Sequence, residues 1–161
     1  MPKTEPLDQH KWLQQLVGEW TVEVTTDMGP DVESMKFEST DKVRAIGDIW
    51  ILAEGGASFG ETRFTSIMTL GYDPAKKAFV GSWIDSMTAY MWQYKGQLDD
   101  SRKVLTLATE GPQHSDPTKM AQYHDVITIV SADERTLTSS MKGEDGKYKQ
   151  FMSATYKRKQ K

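Results

Sequence analysis

The chain has no cysteine among its 161 residues. That excludes a disulfide framework, a thiolate metal site and a cysteine nucleophile together, and it fits a reducing compartment. Histidine is nearly as scarce: only His10, His114 and His124 occur, with no HExxH motif and no close pair, so neither zinc nor another metal is expected. No segment approaches the ~20 apolar residues of a membrane helix. The polar opening Met1-Pro2-Lys3-Thr4-Glu5-Pro6 also lacks the apolar core of a secretory signal. A soluble cytoplasmic protein with no membrane partner is expected. Neither sign of charge dominates, since 20 basic and 23 acidic residues leave a formal net charge of -3. They interleave along the chain, so no basic field for nucleic acid is present. The tail Lys157-Arg158-Lys159-Gln160-Lys161 is basic but short of a polybasic patch. Gly-x-Ser-x-Gly is missing too, and Gly60, Gly71 and Gly81 are not spaced as a phosphate cradle.

What is present is period-two patterning. After an amphipathic stretch, Asp8 to Leu16, read as a short helix with Asp8 as N-cap, the apolar repeat becomes two from Gly18 onward. Strands are expected near 18–26, 33–46, 49–57, 63–70, 78–85, 89–97, 103–110, 120–131, 136–142 and 148–157. Turn chemistry separates them: Met28-Gly29-Pro30-Asp31, Asp73-Pro74-Ala75-Lys76, Asp99-Asp100-Ser101, Asp133-Glu134-Arg135 and Gly143-Glu144-Asp145-Gly146. Short connections make sequential neighbours antiparallel. Ten such strands in an open sheet would leave two long free edges. The expectation is therefore one all-β domain over 1–161: a flexible stretch at 1–7, a helix at 8–16 and a closed up-and-down barrel at 18–158, with an Ig-like sandwich as runner-up.

Strand parity then separates the faces. Trp20, Val22 and Val24 share the inward face of the first strand. A two-residue hairpin loop near Ser86-Met87-Thr88 puts Phe79, Gly81, Trp83 and Asp85 on the same face as Tyr90, Trp92 and Tyr94. The other face carries Lys95, which is more easily solvated outside, so the aromatic face is assigned to the lumen. Gly81 leaves a gap there for Trp92, Tyr94 or a ligand. On the last strand, Tyr148, Gln150, Met152, Ala154 and Tyr156 are expected inside. Inward carboxylates are expected at Asp41, Glu54 and Asp85, with Asp85 opposite or diagonal to Tyr90. The facing of His124 is left open.

Leu16-Val17-Gly18-Glu19-Trp20, Gly71-Tyr72-Asp73-Pro74, Val80-Gly81-Ser82-Trp83-Ile84-Asp85-Ser86-Met87 and Met152-Ser153-Ala154-Thr155-Tyr156 together resemble the DUF1579 family over nearly the whole chain. The resemblance implies a calycin-like barrel, similar to the lipocalin and fatty-acid-binding groups, and no assigned activity. In such barrels the tryptophan of Gly-x-Trp closes the floor beneath a basic side chain of the last strand. This implies a clasp of Trp20 with Arg158, or else Lys157, worth ~0.5–2 kcal/mol as a cation–π contact. Nitrobindin-like barrels resemble this fold and hold haem through a late histidine; no histidine follows His124 here, and no cofactor is expected.

These readings converge on a non-enzymatic barrel binding a small, mostly apolar or amphipathic molecule. Its wall would be Trp83, Trp92, Tyr94 and Met152, and Asp85 or Tyr90 would orient the ligand's polar group. Two alternatives stand beside it: a small-molecule lyase or isomerase using Tyr90, Tyr94, Arg63 and Glu54, and a filled structural barrel. A homodimer stays open.

Overall fold

Period-two alternation runs from Gly18 to Arg158, and the backbone follows it into ten antiparallel strands joined in chain order. The computed structural model describes residues 1–160, so Lys161 of the basic tail lies outside the described residues. The strands are β1 (Gly18–Thr26), β2 (Lys36–Ile46), β3 (Trp50–Phe59), β4 (Thr62–Asp73), β5 (Ala78–Asp85), β6 (Thr88–Leu98), β7 (Val104–Pro112), β8 (Met120–Ser131), β9 (Glu134–Lys142) and β10 (Tyr148–Arg158). Pairing of β1 with β10 closes the barrel and removes both free edges. β2 starts later than expected, at Lys36, because Thr26 Oγ1 accepts the Met35 N–H at 3.1 Å and holds the preceding residues as loop.

The helix α1 (Asp8–Gln14) lies at the end where β1 begins, packing against β3 and β4. It is shorter than expected, and its cap falls at Leu7. There His10 Nδ1 accepts the Leu7 N–H at 2.9 Å, while Nε2 lies 3.0 Å from the Tyr72 carbonyl and donates to it. Asp8 occupies the first turn, where a negative charge suits the helix dipole. Trp12, Leu13 and Leu16 are buried beneath the helix, and Trp12 Nε1–H donates to the Arg102 carbonyl at 2.6 Å.

Trp20, 1% exposed, forms the floor. The Arg158 guanidinium sits 4.3 Å from its ring centroid and donates to the carbonyls of Val17, Gln15 and Ala132. Gly18 makes this seat possible: its φ is +136°, and any Cβ there would land on the Arg158 guanidinium. Gly18→Ala is expected to cost about 1–2 kcal/mol through backbone strain and displacement of that guanidinium. A fall in the urea midpoint with unchanged slope would register it. An unmoved midpoint would remove the glycine from this role.

Three irregularities shape the opposite end. β6 and β7 share a ladder only where Lys95 to Leu98 meet Leu105 to Ala108. Nearer the mouth, side chains span the gap: Tyr90 Oη–H donates to the Glu110 carbonyl at 2.8 Å, and the Trp92 indole fills the space a Cβ on Gly111 would occupy. In β5 and β6 the register shifts between Trp83, opposite Trp92, and Asp85, opposite Thr88. In β10 it shifts between Gln150, opposite Ser140, and Met152, opposite Ser139. Each bulge re-aims the side chains on its mouthward side.

Candidate functional site

The lumen holds two adjoining chambers. The inner one, about 210 Å³, lies above the floor and has mostly aliphatic walls, including Val22, Val43, Ile51, Met68, Leu70, Ile127 and Ala154. The outer one, about 180 Å³, lies toward the mouth and is walled by Trp83, Trp92, Tyr94, Tyr123, Phe151 and His114. Trp83, Leu137 and Met152 line both and form the partition.

Polar groups in the inner chamber gather around Arg135. This residue is 5% exposed, and its Nη2 donates to Asp41 Oδ2 at 3.3 Å. Its guanidinium also lies 4.7 Å from the Trp20 ring and 4.0 Å from the Tyr156 ring. Arg135 Nε is buried without a hydrogen-bond partner. Burial pushes the Asp41 carboxyl above its ordinary range, with Arg135 opposing the shift, and burial works against the charge of Arg135 itself. The Tyr156 phenol is pushed well above ten by burial and stays protonated.

The outer chamber is organised around Asp125. Tyr94 Oη–H donates to one carboxylate oxygen at 2.5 Å and Ser139 Oγ–H to the other at 2.6 Å. The residue keeps some contact with chamber solvent and is half-buried by area, yet its carboxyl lies deep in the wall. Depth governs its titration: burial raises the Asp125 carboxyl against the lowering effect of its two hydroxyl donors, and it pushes the Tyr94 phenol up strongly. Thr109 Oγ1, in the same chamber, is buried without a partner. His114, from the segment between β7 and β8, packs edge-on to Phe151 at 4.8 Å, and burial lowers its pKa. That favours the neutral imidazole.

Among the residues singled out from sequence, Trp83, Trp92, Tyr94 and Met152 line the chambers and come together. Tyr90 does not. The bulge takes it out of register with Asp85, and its hydroxyl is spent on Glu110. Asp85 lines the outer chamber but acts as a turn aspartate, accepting the N–H groups of Met87 and Thr88 and the Trp83 indole N–H at 2.8, 3.1 and 3.0 Å. The space beside Gly81 is taken by the Thr69 carbonyl and Leu70, leaving no gap for Trp92, Tyr94 or a ligand.

Glu54 and Arg63 are exposed, so the set of Tyr90, Tyr94, Arg63 and Glu54 is not assembled. His124 pairs on the outer face and stacks on Tyr148 at 3.8 Å. The β10 bulge reverses parity, so Tyr148 and Gln150 leave the inward set and Phe151 enters the outer chamber. Arg135, Asp125, Ser139, Tyr123 and His114 were not found by sequence reasoning. For Arg135 a signal existed in the alternation Arg135, Leu137, Ser139, Met141.

Residues 5–158 match the family described as a protein of unknown function, DUF1579. The chain belongs to the DUF1579 family. No curated protein matches it. Among solved structures, the DUF1579 chain is similar to Rv2717c from M. tuberculosis, with a TM-score of 0.64 and 11% identity over 97% of this chain and 100% of that one. It is also similar to a redesigned β-barrel, with a TM-score of 0.50 and 9% identity over 93% and 96% of the two chains. Such identities speak for the fold alone, so any function of this DUF1579 barrel has to be argued from its own residues. Among the described residues no group of His, Cys, Asp or Glu is placed to hold a metal ion, and no helix is long and apolar enough to cross a membrane.

Proposed function

We propose that this barrel binds a small, mostly apolar molecule inside its lumen without transforming it. The observation that carries the reading is the unfilled, partitioned lumen: alone, neither the chamber of about 210 Å³ nor that of about 180 Å³ reaches the size of ordinary ligand pockets. Together they enter the ~300–1,000 Å³ range, with apolar walls and few polar groups. The buried charged groups among them form two sets, Arg135 with Asp41 and Asp125 with Tyr94 and Ser139, which suits orientation of a ligand better than turnover. In this reading these sets orient the ligand, since Asp85 is engaged by turn amides and the Tyr90 hydroxyl by the Glu110 carbonyl. All the lining residues of both chambers come from one chain, and the reading invokes no homodimer.

Trp83 lies between both chambers and reports occupancy of either. Intrinsic tryptophan fluorescence titrated with a panel of hydrophobic small molecules should quench saturably for at least one of them. Trp83→Phe should weaken that response and Trp83→Phe with Trp92→Phe should remove most of it, because these two line the chambers, whereas Trp12 and Trp20 lie at the floor and Trp50 lies over Gly71 outside both. No quenching by any ligand, together with no change in Trp83→Phe, would sink the cavity reading.

A further inference from the structure

Resting on that reading, we propose that the outer chamber recognises a cationic head group, so that the ligand is a small lipophilic amine. Its ammonium sits against Asp125 among aromatic walls, and its hydrocarbon part passes Trp83 into the inner chamber. The first ground is charge. The ionisable groups lining the outer chamber are Asp85, Asp125, His114, Tyr94 and Tyr123, with no lysine or arginine. Asp85 is held by the turn amides and an indole N–H, whereas Asp125 has only the hydroxyls of Tyr94 and Ser139. A carboxylate set deep in a wall without a cation is short of a counter-charge, and an ammonium supplies one with donors to spare. Thr109 Oγ1, buried and unpartnered in the same wall, is a further acceptor.

The second ground is the wall. Trp92 meets Tyr123 edge-on at 5.0 Å, and Tyr123 meets Phe151 at 6.0 Å; with Trp83 and Tyr94 they surround the space in front of Asp125. Ring faces attract cations, most strongly when water is excluded. His114 closes this ring as a neutral imidazole and does not compete as an internal cation.

The contrast between chambers sets the orientation. In the inner chamber Arg135 already neutralises Asp41, and the remaining wall is mainly apolar with uncharged hydroxyls such as those of Ser39 and Ser66, which suits a hydrocarbon and not a second charge. An anionic ligand is disfavoured at the outer end because it would face Asp125 and Asp85 together, and like charges in a poorly solvated site repel strongly.

The test compares three probes of equal length, hexylamine, hexan-1-ol and hexanoate, by calorimetric titration of the full chain at pH 7. Hexylamine should bind at least about tenfold more tightly than hexan-1-ol, a difference of about 1.4 kcal/mol. Hexanoate should bind more weakly than either. In Asp125→Asn the amine-to-alcohol ratio should fall to about one. Equal or tighter binding of the alcohol, or survival of the amine preference in Asp125→Asn, overturns the cation site while leaving a binding barrel. Failure of all three probes to bind counts against the cavity reading as well. Should Asp125→Asn not fold, the wild-type ratio decides alone, with Trp92→Leu expected to reduce it.

Discussion

Arg135→Ala should lower the unfolding free energy by about 3–5 kcal/mol at neutral pH, the loss typical when one member of a buried ion pair is removed. Arg135 and Asp41 are 5% and 9% exposed, so neither can recover its interaction from bulk water. Truncation strands the Asp41 carboxylate, whose pKa burial already raises and which Arg135 now holds down. It also removes a cation from beside Trp20 and Tyr156, at 4.7 and 4.0 Å, contacts worth ~0.5–2 kcal/mol each when desolvated. The fall should appear in urea unfolding as a lower midpoint. The double change Asp41→Leu with Arg135→Met should lie within about 1–2 kcal/mol of the parent, because a well-packed apolar replacement removes both desolvation penalties. If Arg135→Ala costs less than about 1 kcal/mol, the pair is water-accessible and the floor is held by Arg158 alone.

Most of the barrel was legible because a wall wet on one face and dry on the other writes a period of two into every strand. Trp20, Val22 and Val24 against Glu19, Glu23 and Thr25 leave no choice of face, and the turn segments place the reversals. What stayed hidden has two physical causes. A bulge changes parity without a compositional mark: nothing in Lys149-Gln150-Phe151-Met152 announces that Phe151 turns inward while Gln150 turns away. Buried charge is the other cause. Arg135 follows Asp133-Glu134 and reads as part of a charged turn, although it begins the inward alternation of β9. Asp125 sits beside His124 in a strand whose two faces, Tyr123, Asp125 and Ile127 against His124, Val126 and Thr128, are similarly mixed. Its role depends on Tyr94 and Ser139 from other strands, which no local pattern can bring to it.

The second large effect has the opposite sign. Asp125→Asn should stabilise the empty barrel at pH 8 by about 2 kcal/mol, within the range by which burying an inadequately compensated polar group destabilises proteins. The neutral amide can still accept from Tyr94 or Ser139 and donate to the other, and it has no charge to desolvate. The sign of the pH dependence follows from the raised carboxyl. Below the ordinary aspartate range, near 3.8, Asp125 is protonated in folded and unfolded chains alike and the variants should be nearly equal. As pH rises, the unfolded chain ionises first, and stability is lost until the folded-state carboxyl has also ionised. The charges and phenols that modulate this are His124 on the same strand, Tyr94 on β6 and Tyr156 on β10. Urea unfolding at pH 4 and pH 8 on both proteins therefore yields a difference that grows with pH. A constant or shrinking difference would show that Asp125 is adequately solvated. A chain that keeps a destabilising carboxylate in its own wall is trading stability for a group its ligand can use. Saturating hexylamine should then raise the wild-type stability at pH 8 by more than that of Asp125→Asn, since only the wild type offers the ammonium a counter-charge.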